Sequence, residues 1–196
     1  MKIGRDPIPS DVLALAPARI HEAEGRGRRA FALFQAARHP GPLVWIWPAH
    51  LPEHPLPQGL PAGVAERLIL LRPAGEVDLL WTVEEALRNP AVGLVIAEPQ
   101  QPMSLTAGRR LQLAAEAGRT TGLMLTATGA GSNATETRWQ CEPCAGSADS
   151  TLHRWSVNKN KKGTLGDWML NWNGTSDAFH LVSATGERDQ SAKTPA

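Results

Sequence analysis

The sequence has no long hydrophobic run and no large net charge, and it contains only two cysteines. No segment reaches the roughly 18 uninterrupted apolar residues that a membrane-spanning helix needs. The N-terminal stretch carries Asp6, Asp11 and early prolines where a signal peptide needs an apolar block. A cytoplasmic protein without membrane contact is therefore expected. The net charge of +1 excludes a globally basic nucleic-acid-binding protein, so any DNA contact must come from a local patch.

The scarcity of cysteine also limits metal and redox chemistry. Cys141 and Cys144 form a CxxC pair. A structural zinc site needs a second ligand pair at recognisable spacing, which the sequence does not offer. A redox CxxC motif leads into a helix, whereas the residues around this pair alternate like a strand. We therefore expect two ordinary thiols, one on a strand and one in a loop, and neither metal nor cofactor.

What the sequence does contain, over its first two-thirds, is an alternation of short apolar runs with helical patterns. This alternation is typical of βαβ units around a parallel sheet. The predicted strands are residues 19–23, 42–47, 68–71, 93–97 and 122–126. The predicted helices are residues 28–38, residues 76–88, and a third that Ser104 caps and that ends at Gly118. Helical spacing places Phe31, Phe34 and Ala37 in the core, and Trp81 is also expected there.

The last third has a different pattern. Residues 128–135, rich in Gly, Ser, Asn and Thr, predict a flexible loop. Period-two alternation then favours antiparallel strands with one solvated face. The inward positions are expected to be Thr137, Trp139, Cys141, His153, Trp155, Val157, Trp168, Leu170 and Trp172. The expected fold is one α/β domain over residues 1–185, in which a parallel sheet flanked by helices continues into antiparallel strands. A polar tail, residues 186–196, is predicted to be disordered.

Three stretches carry a resemblance to a known family. They are RIHEAEG (residues 19–25), the run from EEALRNPAVGLVIAE to LTAGRRLQLAAEAG (residues 84–118), and TLHRWSVNKNKKG (residues 151–163). Together with the order of elements, they resemble the RecA core, and within it the ImuA proteins of bacterial damage-inducible mutagenesis cassettes. The resemblance covers residues 18–184 and implies a RecA-like fold. The implied partners are RecA, the polymerase-like protein ImuB and, through them, an error-prone DnaE-type polymerase.

The residues after the first strand depart from a phosphate-binding loop. Such a loop reads GxxxxGK[ST], because backbone N–H groups, a lysine and a hydroxyl together hold the phosphates and Mg²⁺. Here strand and helix are joined by a shorter turn made of Gly25, Arg26, Gly27, Arg28 and Arg29. It has neither the lysine nor the hydroxyl. Two interpretations remain open: a tight turn with solvated arginines, or a contact with an anion or the DNA backbone.

Two further catalytic positions are altered. The second strand runs into Trp47 and Pro48, where the RecA resemblance implies a water-activating glutamate. Glu98 stands where the resemblance places a metal-binding aspartate. A lone carboxylate without phosphates to share the ion is a poor Mg²⁺ site. Glu98 is therefore either a local hydrogen-bonding group or, in the enzyme hypothesis, a metal ligand. ATPase activity is not expected.

The densest basic cluster contains Lys159, Lys161 and Lys162. In RecA the corresponding lysines approach the nucleotide of a neighbouring subunit, and here Lys159 and Lys161 match that pattern. The cluster is either a solvated hairpin end or an interface with a RecA-like neighbour or with DNA phosphates. Arg109 and Arg110 either support the same surface or serve solubility.

The seven tryptophans suggest base stacking on single-stranded DNA as an alternative to core packing. Trp139 and Trp155, on strands beside the loop at residues 128–135, are the candidates for stacking. The other tryptophans are assigned to the core.

Three functions follow for comparison. The leading hypothesis is a non-catalytic RecA-like adaptor in SOS-induced translesion synthesis, acting at the nucleoid. The second is a SulA-like inhibitor of cell division, since SulA proteins share the reduced fold, and inhibition of FtsZ polymerisation would identify it. The third is a divergent nucleotide hydrolase that uses Glu98.

Overall fold

The computed structural model describes residues 13–53, 55–146, 151–173 and 178–189. Within these residues the chain forms an α/β fold with three α-helices and one nine-stranded mixed sheet, which confirms the predicted class. The helices are α1 (Arg28–Arg38), α2 (Glu76–Arg88) and α3 (Leu105–Gly118). The strands are β1 (Ile20–Glu24), β2 (Leu43–Ile46), β3 (Leu68–Leu71), β4 (Leu94–Ala97), β5 (Thr121–Leu125), β6 (Thr137–Cys144), β7 (Thr151–Asn160), β8 (Thr164–Asn173) and β9 (Ala178–Asp189). No helix of the described residues is long and apolar enough to cross a bilayer.

The strand order across the sheet is β3-β2-β4-β5-β1-β6-β7-β8-β9. Strands β1 to β6 pair in parallel with one another. The pairs β6–β7, β7–β8 and β8–β9 are antiparallel. The predicted passage from a parallel half into antiparallel strands of the same sheet is thus confirmed. Because β1 is the fifth of the nine strands, between β5 and β6, its carboxyl end lies at the middle of one edge of the sheet.

Strand β2 shows how the sheet separates two hydrophobic cores. Leu43 and Trp45 belong to the core beside α1, whereas Val44 and Ile46 belong to the core under α2 and α3. Successive side chains of a strand point to opposite faces. A continuous apolar run is therefore buried on both sides, as predicted for a central strand of a parallel sheet.

The spacing of apolar side chains explains how the helices sit on the sheet. In α2, Leu79, Val83 and Leu87 recur every four residues and are buried. Trp81 lies two positions from Leu79, on the opposite side of the helix, and is 62% exposed. The prediction that Trp81 is a core residue is therefore wrong. Ala37 of α1, also predicted to be inward, is exposed.

Capping bounds α3. The Ser104 hydroxyl accepts a hydrogen bond from the Ala107 N–H at 3.1 Å, which confirms the predicted N-cap. At the other end Arg119 adopts the left-handed conformation, with φ of 54°, that commonly terminates helices.

Two predicted features of the last third require correction. Strand β9 continues to Asp189, with Arg188 opposite Leu165 of β8. Residues 186–189 are therefore strand, since backbone ladder bonds form without an apolar side-chain pattern, and residues 190–196 lie outside the described residues. The segment at residues 128–135 is a loop, but Ser132, Ala134 and Thr135 within it are buried. Its polar composition reflects internal hydrogen bonds rather than flexibility.

Candidate functional site

The turn between β1 and α1 is short and packs closely against β6. Gly25 has a φ of +88°, in the left-handed region that favours glycine. A Cβ added there would lie 2.4 Å from the carbonyl oxygen of Cys141. Gly27 donates its backbone N–H to that oxygen at 2.8 Å. Because this N–H points into the protein, it is not available to a ligand.

Next to the turn, Arg29 and Glu98 form an ion pair at the carboxyl edge of the sheet. Arg29, in the first turn of α1, donates through Nη2 to Glu98 Oε2 at 2.9 Å and through Nε to Oε1 at 3.1 Å. Trp45 of β2 donates its Nε1–H to the same Oε1 at 3.3 Å. Glu98 is 2% exposed. Its carboxylate therefore depends on these donors, because a buried charge without a partner is costly.

The Trp47 ring packs against the Arg29 guanidinium. The Arg29 Cζ lies 4.3 Å from the centroid of the Trp47 ring, a cation–π distance. Trp47 directly follows β2 and is itself buried. Arg29 is thereby fixed between a carboxylate from the end of β4 and an indole from the end of β2.

This geometry favours the local interpretation of Glu98. A metal ion would have to displace Arg29 from both carboxylate oxygens. Within the part of the chain that the structure describes, no group of three His, Cys, Asp or Glu side chains is arranged to hold a metal. Cys141 and Cys144 are both free thiols on β6, so the prediction that one lies in a loop is wrong. Burial raises the pKa of the Cys141 thiol, which keeps it protonated and unreactive.

An open groove of about 290 Å³ remains beside the ion pair. It is lined by residues of the turn and of the segments after β2 and β4: Arg26, Arg28, Arg29, Leu51, Glu53, Glu98 and Gln100. Arg28 donates to the Gly25 carbonyl at 3.0 Å. The Arg26 side chain is 84% exposed and lies 3.9 Å from Glu142. Carboxylates therefore offset the arginines, and the attraction of the groove for an anion is small.

Glu53 is a groove residue that the sequence did not reveal. The residues directly after β2 supply no carboxylate, yet Glu53 reaches the groove from seven positions beyond Ile46. It lies in a proline-rich loop, where neither periodicity nor a motif indicates which side chain faces inward. Only the folded path of this loop places it.

In the predicted basic cluster, Lys159 and Lys161 are hydrogen-bonded within the chain, and Lys161 and Lys162 are both exposed. Lys159 Nζ donates to the carbonyl oxygens of Ser132, Asn133 and Thr135 at 3.1, 3.0 and 2.8 Å. Lys161 Nζ donates to the Ala134 carbonyl at 2.7 Å. Lys162 is exposed. The hydrogen-bonding capacity of Lys159 is thus used within the chain, and Lys162 remains the lysine most available to a DNA phosphate or a neighbour.

Glu22 of β1 also binds this loop. Its side chain is fully buried in β1. It accepts hydrogen bonds from the Ser132 N–H at 2.7 Å, the Thr135 hydroxyl at 3.0 Å and Arg138 Nε at 3.0 Å. Sequence reasoning missed this residue, because it lies inside a strand predicted from its apolar neighbours. We call the loop at residues 128–135, together with Glu22, Arg138 and Lys159, the anchored loop.

We expect Lys159→Gln to release the anchored loop. Losing charge-assisted hydrogen bonds to three carbonyls should lower the local opening free energy by about 2 kcal/mol, or roughly 30-fold in amide exchange. Hydrogen exchange of residues 129–135 measures this directly. Lys162→Gln, which removes an exposed charge of the same cluster, is the matched control and should leave exchange unchanged. Equal protection in both variants would contradict the structural role of Lys159.

The two tryptophans singled out for stacking belong to the core. Trp139 is 3% exposed and Trp155 is fully buried. Phe31 of α1 packs against both, with ring centroids 4.9 and 5.0 Å away. A base cannot reach either ring without opening the core, so stacking on them is corrected to core packing.

The candidate arginines on α3 differ in their contacts. Arg110 Nη2 donates to Glu84 Oε2 at 2.6 Å, and Arg109 is exposed. Arg110 also lines an apolar groove of about 320 Å³ between α2 and α3. Its other principal walls are Val77, which is 81% exposed, and Trp81. This groove is an exposed apolar surface of the kind that marks protein–protein contacts.

No known protein-family model matches this sequence, and no curated protein matches it either.

Proposed function

We propose that this chain is a non-catalytic, RecA-like adaptor of the ImuA family, acting in SOS-induced translesion DNA synthesis. The observation that carries the proposal is the Arg29–Glu98 ion pair. The resemblance places a phosphate loop at the turn before Arg29 and a metal ligand at Glu98. In this chain those two positions bind each other.

The architecture is consistent with this proposal. The turn after β1 lies at the middle of the carboxyl edge, where open α/β sheets bind their ligands. From α1, Arg29 reaches Glu98 after β4 and Trp47 after β2. An arginine that stacks on Trp47 and pairs with Glu98 takes the space and charge that a nucleotide and its metal would need. The proposed ancestor of this edge is a nucleotide site, in which the positions of the phosphate loop and the metal ligand now bind each other beside an open groove.

An adaptor also requires a surface for its partners. The groove between α2 and α3 exposes Val77 and Trp81, which the fold itself does not use. Tryptophan is enriched among the residues that dominate binding energy in interfaces. We propose this groove as a contact for RecA or ImuB, through which the chain serves an error-prone DnaE-type polymerase. The same proposal includes direct DNA contact through Lys162 and Arg109, which are exposed.

Pull-down with purified RecA and with purified ImuB at moderate salt tests the proposal. Wild-type protein is expected to retain at least one of them. Trp81→Ser should weaken that binding by about 30-fold or more, since a central interface tryptophan contributes about 2 kcal/mol or more. Trp81 is exposed, so the variant should fold normally.

Leu56→Ser is the matched control, because Leu56 is 63% exposed but lies in the proline-rich loop. It should bind like wild type. If wild-type protein binds neither RecA nor ImuB, the proposed function fails. If it binds one of them and Trp81→Ser binds equally well, the function stands and the assignment of the groove fails.

A further inference from the structure

Strand β3 forms one edge of the sheet and is open to solvent. It stands first in the strand order, and its one neighbour within the described sheet is β2. Three of its apolar side chains are exposed: Ile69 by 48%, Leu70 by 40% and Leu71 by 36%. An open edge strand presents backbone N–H and C=O groups that another strand can bind. We call the outer side of this strand the β3 edge.

The sequence of β3 has none of the features that protect an edge from pairing. Natural edge strands are commonly protected by a lysine, a proline or a β-bulge. The segment Leu68–Leu71 contains only leucine and isoleucine, and its register with β2 is regular. The strand at the opposite edge, β9, includes Glu187, Arg188 and Asp189. The composition of β3 therefore favours an edge that is paired over one that is left in water.

The hydrogen bonds of β3 identify the backbone groups that a partner can reach. The Leu71 carbonyl accepts from the N–H of Trp47 at 2.8 Å, so it points toward the β2 side. Backbone groups of successive residues in a strand point to opposite sides. The N–H and C=O of Leu70 therefore point outward, away from β2.

The register with β2 fixes the side-chain directions as well. Leu70 lies beside Trp45, whose side chain belongs to the core next to α1. Ile69 and Leu71 lie beside Val44 and Ile46, which belong to the core under α2 and α3. Leu70 therefore points to the α1 face, and its two neighbours point to the α2 face.

A second copy of the chain fits the β3 edge when Leu70 lies on a two-fold axis. An axis perpendicular to the sheet makes the two β3 strands antiparallel and keeps each face of the sheet on its own side. The two Leu70 residues then exchange both of their outward hydrogen bonds. Ile69 lies opposite Leu71 of the second copy, with both side chains on the α2 face. Backbone and side-chain directions thus agree on the same axis.

The other two positions with outward backbone groups do not serve as the axis. With Arg72 on the axis, two arginines would lie directly opposite each other, which is destabilising. With Leu68 on the axis, β3 would overlap the residues before it, which form the short helix Ala65–Arg67. With Leu70 on the axis, the two Arg72 residues are four positions apart. That separation is about 13 Å, longer than the screening length of about 8 Å.

We propose that two copies of this chain associate through their β3 edges, with Leu70 on the two-fold axis, and form one continuous sheet. The occupant is a second copy because β3 is complementary to itself in backbone direction, side-chain direction and charge. The paired segment is short, so the interface belongs to the small and weak class. The dimer is independent of the proposed adaptor function, since it uses neither Trp81 nor the Arg29–Glu98 ion pair.

Sedimentation velocity of the full chain tests the association. Wild-type protein should shift from monomer to dimer between about 5 and about 500 µM. Leu70→Lys places two ammonium groups next to the axis and should raise the dissociation constant at least about tenfold. Leu113→Lys is the matched control, because Leu113 is 65% exposed on α3, and it should dimerise like wild type. Circular dichroism of both variants verifies that they fold.

Disulfide cross-linking tests the register. Hydrogen-bonded antiparallel pairs have Cα atoms about 5.5 Å apart, within the range of about 4.4–6.8 Å that a disulfide spans. Cys144→Ser first removes the half-buried thiol of β6. In that background Leu70→Cys should form a covalent dimer under mild oxidation. Ile69→Cys is similarly exposed but lies two positions from its own copy, so it should stay monomeric on the same gel.

Three results would overturn the proposal. The first is wild-type protein that stays monomeric over the whole concentration range. The second is a Leu70→Lys variant that dimerises as strongly as wild type, which would place the contact elsewhere. The third is equal cross-linking of Leu70→Cys and Ile69→Cys, which would show that Leu70 is not on the axis.

Discussion

Replacing Arg29 with alanine should destabilise the fold by about 3 kcal/mol, because it leaves the Glu98 carboxylate buried with the indole N–H of Trp45 as its one side-chain donor among the described residues. The converse change, Glu98→Gln, should cost less, about 1–2 kcal/mol. The Arg29 side chain is 36% exposed and can turn toward water when its partner is lost. Urea unfolding of both single variants and of the double variant measures the two costs and their coupling.

Arg26→Ala is the matched control for this series. Arg26 belongs to the same turn, but it is largely exposed and contacts Glu142 only at 3.9 Å. Its removal should change stability by less than about 0.5 kcal/mol. If Arg29→Ala is as stable as Arg26→Ala, the ion pair does not hold the edge of the sheet together, and the main support for a non-catalytic site is lost.

Acidification from pH 6.5 to pH 4 should remove about 3 kcal/mol of stability through His21 alone. Burial is the largest cause that lowers the pKa of His21, from 6.5 to about 4. Its Nε2–H donates to the Ala16 carbonyl at 3.0 Å, and its Nδ1 accepts from the Thr137 hydroxyl at 2.7 Å. Both ring nitrogens are thus satisfied in the neutral form, and no favourable site exists for a second proton.

The direction of this effect follows from the proton balance. In the unfolded chain His21 is protonated below about pH 6.5, whereas in the folded chain it is protonated only below about pH 4. The contribution of His21 to the free energy of unfolding is therefore complete above pH 6.5, and it declines by up to about 1.4 kcal/mol per pH unit as the pH falls. Burial also lowers the pKa values of His39 and His153, which act in the same direction.

Urea unfolding at several pH values between 7 and 4 compares wild type with His21→Gln. The variant is expected to be less stable at pH 7 but to have a shallower pH dependence, by close to one proton. His50→Gln, in an exposed loop, should keep the wild-type slope. Parallel slopes for wild type and His21→Gln would show that His21 is not held neutral in the folded state.

The sequence was most informative where local chemistry decides the structure. Helices α1 and α2 begin and end at the predicted residues, and Ser104 caps α3, because apolar spacing and end signals act within one turn. The parallel half was predictable from apolar strands such as β2 and β4, which are buried on both faces. Strand β3 is equally apolar but is largely exposed at the edge of the sheet, so an apolar run alone does not show burial. The short turn after β1 was likewise visible, since the number of residues between strand and helix is fixed by the sequence.

The interpretation failed where contacts distant in sequence decide. Glu22, an acidic residue within a strand, and Lys159, in a basic cluster, are 137 positions apart in the sequence, yet both bond the same loop. Nothing in the sequence around either residue indicates this contact. The pairing of Arg29 with Glu98 also joins positions far apart in the chain, so the sequence could show two altered sites but not that each satisfies the other. Trp81 was misplaced for a related reason, because its hydrophobicity suggested burial while its position on the helix circumference dictates exposure.

The central claim is that the Arg29–Glu98 ion pair stands where a nucleotide site would be. Calorimetric titration of the wild-type protein with ATP and Mg²⁺ tests this claim most directly. With Arg29 bound to Glu98 and stacked on Trp47, we predict no saturable heat at millimolar ATP, with or without Mg²⁺. Saturable, Mg²⁺-dependent binding that Glu98→Gln abolishes would contradict the account, because it would show that Glu98 leaves Arg29 to hold a metal and that the site still serves a nucleotide.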